Sequence, residues 1–143
     1  MDVPLEVLAD WSPFLSHTWI GLDTPVTVEE VQAAVREGRL QKPISVDYYS
    51  KPPDRRYHIE RIAYLVVHGW DDPISLDVGV PSFNCYVAWI VDDGNHRHAA
   101  AIVRGDTHIK AFVGGEESYA VELLGIDPDA LREENDRIGH NLP

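Results

Sequence analysis

The stretch from Cys85 to Ala101 constrains the fold more than any other part of the chain. Cys85–Val91 (CYVAWIV) is an almost continuous apolar run, the pattern of a strand buried on both faces. Asp92-Asp93-Gly94 breaks it as a tight turn. Asn95–Arg104 then reads as a helix with Ala99, Ile102 and Val103 inward. A buried strand that delivers a glycine turn into a helix needs a sheet with helices packed on it.

The flanking segments supply the other layers in mixed order. Residues 1–23 are irregular and aromatic-rich, with Trp11, Phe14, His17 and Trp19. Thr27 and Glu30 have capping-box spacing ahead of a helix whose Val28, Val31 and Val35 share a face, and Gly38 ends it. Lys42–Tyr49 (KPISVDYY) alternates like a short strand. Asp54 caps a helix carrying Ile59, Ile62, Ala63 and Val66 inward, closed by Gly69. Pro73–Val78 reads as a strand, Gly79–Ser82 as a turn, His108–Val113 as a strand and Glu116–Leu124 as a helix. Asp127 and Pro128 open a final helix with Ile126 and Leu131 spaced as a hydrophobic staple, and the tail frays from Gly139. The fold class is α/β or α+β.

The 143 residues suit one domain, 1–143, and 44% hydrophobic residues support a core without metals or disulfides. The single cysteine, Cys85, excludes an internal disulfide and is read as part of the apolar strand. The start MDVPLE lacks a signal-peptide pattern and no apolar run is long enough for a membrane span, so a cytoplasmic protein without membrane partners is the expectation. The net charge of −12 disfavours strong non-specific DNA binding.

Gly94-Asn95-His96-Arg97 is the densest candidate site. A helix start offers free N–H groups and the positive end of the dipole. Arg97 adds a planar fork for phosphate or carboxylate, His96 a titratable donor, and Gly94 room for close approach. The alternative is a plain strand-turn-helix corner in which Arg97 is salt-bridged to Asp92 or Asp93.

These residues also carry a resemblance. Asp93-Gly94-Asn95-His96-Arg97, with Ala99-Ala100-Ala101, Gly105 and the strand Ile109–Val113, resembles the second signature box of the ParB/sulfiredoxin-like fold. Upstream, Ile62–Gly69, Asp72-Pro73-Ile74 and Leu76-Asp77-Val78 resemble that family's helix, glycine and P-I-x-V strand. The likeness covers residues 42–115, leaving 1–41 as an N-terminal extension with a helix and 116–143 as a C-terminal helical segment. It implies a mixed sheet flanked by helices and a nucleotide phosphate at the box-two turn. Members include CTP-dependent partition proteins, sulfiredoxin, an ADP-dependent free serine kinase, and plasmid or phage proteins with ATPase or nuclease activity.

The departures narrow what it implies. Asn95 stands where sulfiredoxin-like members carry the catalytic cysteine, so sulfinic acid reduction is not expected. Partition proteins continue into a helix-turn-helix where this chain ends in an acidic segment, so centromere binding is not expected either. The kinase's Asp-Gly-His-His-Arg box differs at one position. The resemblance therefore implies a nucleotide- or phosphate-binding protein, with phosphoryl transfer or phosphodiester hydrolysis if it is an enzyme. ATP, ADP or CTP with Mg²⁺ would be the ligand. The competing reading is a non-catalytic binding or accessory module that keeps the anion pocket and recognises a protein partner.

A second basic cluster, Lys51, Arg55, Arg56 and Arg61, interrupts an acidic chain. The resemblance makes Arg55 or Arg56 a phosphate clamp; the plain reading is a solvated helix start with surface ion pairs. Asp92 and Asp93 are candidates for Mg²⁺, or for turn and cap roles. Asp93, His96 and Glu116 are candidate catalytic groups, with Glu60, Glu117 and Asp77 as further possible bases. His96 and His98 do not share a helix face, which disfavours a zinc pair. His68 reads as a cation at a helix C-terminus, and Trp70 and Trp89 as core or rim.

Overall fold

The structure is a computed structural model that describes residues 1–16 and 19–140. Its α-helices start and stop where local chemistry directs. In α1 (Val28–Glu37) Thr27 accepts from the Glu30 N–H, and the Glu30 carboxylate accepts from the Thr27 N–H, both at 3.1 Å. This reciprocal cap satisfies two donors that the first turn would otherwise orphan. In α2 (Arg55–His68) the Asp54 carboxylate accepts from the Tyr57 N–H at 3.0 Å. Ile59, Ile62, Ala63 and Leu65 of α2 are buried against Val31 and Ala34 of α1. Burying one such aliphatic side chain stabilises by about 1.5–3 kcal/mol.

The sheet is mixed. Its order is β1 (Asp2–Pro4), β4 (His108–Gly114), β2 (Ile74–Asp77), β3 (Val91–Asp93). β4 runs antiparallel to β1 and parallel to β2, and β2 runs antiparallel to β3. The period-2 pattern of β4 buries Ile109, Ala111 and Val113 and leaves Lys110 and Phe112 on an open face. β2 buries Ile74 and Leu76 in the same manner.

α3 (Asn95–Arg104) is the partition between two cores. Ala101 joins the cluster formed by the sheet, the first 3-10 turn (Leu5–Trp11), α4 (Glu117–Leu124) and α5 (Pro128–His140). Ala99 and Ala100 join the α1–α2 cluster. Methyl side chains let the helix axis approach both layers closely, so the alanine run does the inward packing. Ile102 and Val103, expected inward, are only partly buried.

Three sequence expectations are corrected. Lys42–Tyr49 forms no strand: it runs mostly exposed, with Val46 and Tyr48 partly buried, and closes in a turn where the Asp47 carboxylate accepts from the N–H groups of Tyr49 and Ser50. Among the described residues no strand pairs with it, so its backbone has no ladder to join. Cys85–Val91 is not a two-sided buried strand, since Cys85–Ala88 is exposed and only Ile90 and Val91 are sealed. A two-bond bridge between Val80 and Cys85 lifts that segment off the sheet as a loop. The opening residues, read as irregular, supply the edge strand β1. The fraying expected at the tail concerns residues whose side chains, or whole placement beyond His140, lie outside the described residues, as does His17.

Among the described residues no helix is long and apolar enough to cross a membrane.

Candidate functional site

The Gly94 turn forms, but its side chains are turned inward. Asn95 accepts from the Trp89 indole N–H at 2.8 Å and donates to the Val91 carbonyl at 3.2 Å. His96 is hydrogen-bonded to His58 across 2.9 Å. Arg97 donates from Nη1 to the carbonyls of Asp72 at 2.8 Å and Pro73 at 3.0 Å, and its Nη2 lies 3.4 Å from Asp93. That guanidinium ties the start of α3 to the chain entering β2. It is the structural partner that the corner reading describes, with Asp93 rather than Asp92 as its carboxylate.

Gly94 is required for packing rather than for room. Its φ is +109°, and an added Cβ would collide with the side chain of Ile74. Having no side chain, it leaves the first N–H groups of α3 without a side-chain cap.

The Arg55 and Arg56 side chains are likewise engaged elsewhere. Arg55 grips Glu30 through Nε at 2.8 Å and through Nη2, and donates to the carbonyls of Thr24 and Pro25, each at 2.8 Å. This pins the start of α2 to the start of α1 and offsets the cation's repulsion from the helix dipole. The guanidinium holds the Glu30 carboxyl below its ordinary range. Arg56 pairs with Glu60 at 2.9 Å and projects from the other side of the helix.

Arg61 faces the turn instead. Tyr57, Arg61 and Tyr64 lie on one face of α2 and, with Tyr48, Trp70 and the Gly94–Arg97 turn, line a cleft of about 830 Å³. Phe112 on the open sheet face also lines it. Burial, with the Tyr48 O–H donating toward the Tyr57 hydroxyl, pushes the Tyr48 hydroxyl up to about 12, so it stays a neutral O–H. Of the nine arginines in the sequence, seven hold a carboxylate within 4.0 Å among the described residues. Arg61 holds none, and its Nη1 is buried with no hydrogen-bond partner among the described residues.

The remaining candidates do not converge on this cleft. Asp93 lines it, whereas Asp92 faces a second cleft of about 940 Å³ on the other side of Phe112. The two therefore do not aim at one Mg²⁺, and no group of three metal-ligating side chains occurs among the described residues. Glu116 accepts from the Ser82 N–H at 3.1 Å, Glu117 from Asn135 at 2.8 Å, and Asp77 from the Gly79 N–H at 2.9 Å. His98 is fully buried apart from His96. His68 stacks on Tyr64, and Trp70 lies under the Arg104 guanidinium. Cys85 is exposed, a correction to its expected place in the core.

The sequence signal for Arg61 was present. Tyr57, Arg61 and Tyr64 have i, i+4, i+7 spacing, a polar-aromatic stripe beside the apolar stripe of the same helix. The pairing of Trp19 with His58 and His96 had no such signal, because it joins three distant segments.

Comparison of the chain with protein-family models, with curated proteins and with solved structures finds no match.

Proposed function

We propose that the cleft between α2 and the start of α3 binds a small anionic ligand carrying a flat ring, best represented by a nucleoside phosphate. The observation that carries this reading is Arg61. A buried guanidinium nitrogen without an acceptor is costly, and in a chain with twice as many acidic as basic residues a carboxylate partner is easily found. Arg61 instead lines a cleft that is also lined by Gly94, His96 and Arg97 at the uncapped start of α3, and by Asp71, Asp72 and Asp93. The Arg61 guanidinium and that helix start attract the same group, a phosphate or carboxylate. Tyr48, Tyr57 and Phe112 line the cleft as aromatic surface for a base. The sequence resemblance to the ParB/sulfiredoxin-like fold implies a nucleotide phosphate at the same turn and supports this reading.

The reading is of a binding site first. Glu60, Glu116, Glu117 and Asp77 are all directed elsewhere, which favours the binding or accessory module. A phosphotransfer or hydrolytic role would fall to Asp93 or His96, the two titratable candidates that line the cleft.

Calorimetric titration with adenosine and guanosine monophosphates, and with the matching nucleosides, tests this. Binding of the monophosphates with much weaker binding of the nucleosides is expected. Equal binding of both, or of neither, would refute the anion-based reading.

A further inference from the structure

His96, in the wall of the cleft, is hydrogen-bonded to a histidine buried behind it. His58 Nδ1 and His96 Nε2 are 2.9 Å apart, and the rings lie within 12° of parallel. Trp19 lies across both, its centroid 4.6 Å from each. Tyr57 meets both rings edge-on. His58 is fully buried, and its Nε2 has no hydrogen-bond partner among the described residues. His96 is partly exposed and lines the cleft.

A neutral imidazole carries one N–H, so the contact has two possible proton arrangements. If His96 donates from Nε2, His58 accepts on Nδ1 and must carry its own proton on Nε2. That would seal an N–H donor away from any acceptor. If His58 donates from Nδ1, its Nε2 is a bare lone pair, and His96 keeps its proton on Nδ1. Orphaned buried donors are rarer than under-used acceptors. The second arrangement is therefore favoured.

We propose that His58 is a positioning residue that fixes His96 in the Nδ1-protonated tautomer, so that His96 offers the cleft a neutral N–H donor for an anion oxygen. This rests on the reading of the cleft as an anion site. The surroundings oppose a charge on the pair. Burial disfavours the imidazolium of both rings, and Arg61 and Arg97 repel a charge on His96. Asp54 is the charged group that favours protonation of His58. Tyr48 and Tyr57, whose rings meet the pair, are phenols, and Asp71, Asp72 and Asp93 line the same cleft as His96. A neutral donor held in one tautomer works without titrating, unlike a solvent-exposed histidine.

The test begins on the unliganded wild-type protein, so no variant has to fold. Long-range ¹H–¹⁵N correlation spectra at neutral pH read which ring nitrogens carry protons. Protonated Nδ1 and bare Nε2 are expected on both His58 and His96. A protonated His58 Nε2, or an imidazolium at His96, overturns the proposal. Sulfate, which does not titrate near neutrality, is then titrated from mildly acidic to mildly basic pH against wild type, Arg61→Met and His58→Phe. Wild-type affinity that stays flat supports the proposal, and affinity that climbs several-fold toward acid pH refutes it. His58→Phe should bind more weakly and gain a pH dependence as His96 is released. If Arg61→Met abolishes binding while the tautomers are reversed, this proposal falls and the anion reading stands. If wild type binds no sulfate at all, both fall.

Discussion

Arg97 gives the sharpest contrast between a ligand-binding and a structural guanidinium. Its Nη1 donates to the carbonyls of Asp72 and Pro73, and the side chain is only 16% exposed. Each charge-assisted bond is worth about 1.5–3 kcal/mol, but bonds sharing one nitrogen do not add in full. The Asp93 contact adds little, roughly 0–1 kcal/mol, because that carboxylate is 78% exposed and screened. Arg97→Ala should therefore cost about 2–4 kcal/mol. For a chain of this size that lowers the melting midpoint by roughly 6–12 °C. Arg97→Lys can reach one carbonyl as a point charge and should recover less than half of the loss. Urea unfolding of the three proteins measures the effect, with a lower midpoint at unchanged slope. An Arg97→Ala protein of wild-type stability that has lost anion binding would refute the structural assignment.

Four further outcomes follow from packing and burial. His58, His96 and His98 are held neutral by burial, to about 4, about 3 and about 4. Their folded values lie below the unfolded 6.5, so the stabilisation is complete above that pH and is lost as pH falls through 6 and 5. Each contributes a slope approaching about 1.4 kcal/mol per pH unit, and urea midpoints across this window that do not fall would contradict the burial of the three rings. His98 has no hydrogen-bond partner for either nitrogen among the described residues. His98→Leu should therefore hold or raise stability at neutral pH and flatten the acid slope, and a loss above about 2 kcal/mol in denaturant unfolding would reveal an unseen partner. Gly94→Ala should cost more than about 2 kcal/mol through the Ile74 collision and the positive φ, whereas Cys85→Ser at an exposed site should stay within about 0.5 kcal/mol by the same assay.

Elements governed by local chemistry were legible in the sequence. The Thr27–Glu30 box, the Asp54 cap and the alternation of Ile109, Ala111 and Val113 each depend on neighbours a few residues away. Elements decided by distant partners were not. Lys42–Tyr49 alternates like a strand, but a strand needs a neighbour and none is there. Cys85–Ala88 is apolar, but the Val80 bridge turns it to solvent. The site divides in the same way. The Gly94 turn and its helix could be read from spacing, yet the destinations of Arg55, Arg61 and Arg97 depend on Glu30, the cleft and the Asp72–Pro73 carbonyls. Arginine reaches far enough that sequence position alone does not say which acceptor it finds.

The central claim is that Arg61 serves a ligand and not the fold. The most direct measurement pairs unliganded stability with nucleoside monophosphate affinity for wild type and Arg61→Met. Methionine keeps an apolar side chain of similar reach and removes the guanidinium that lies over the Tyr64 ring, and with it the unpartnered nitrogen. The account predicts unchanged or higher stability together with a tenfold to hundredfold loss of affinity, on the order of 1.5–3 kcal/mol for one charge-assisted contact. A variant that is clearly less stable but binds as tightly as wild type would make Arg61 a structural residue and contradict the account.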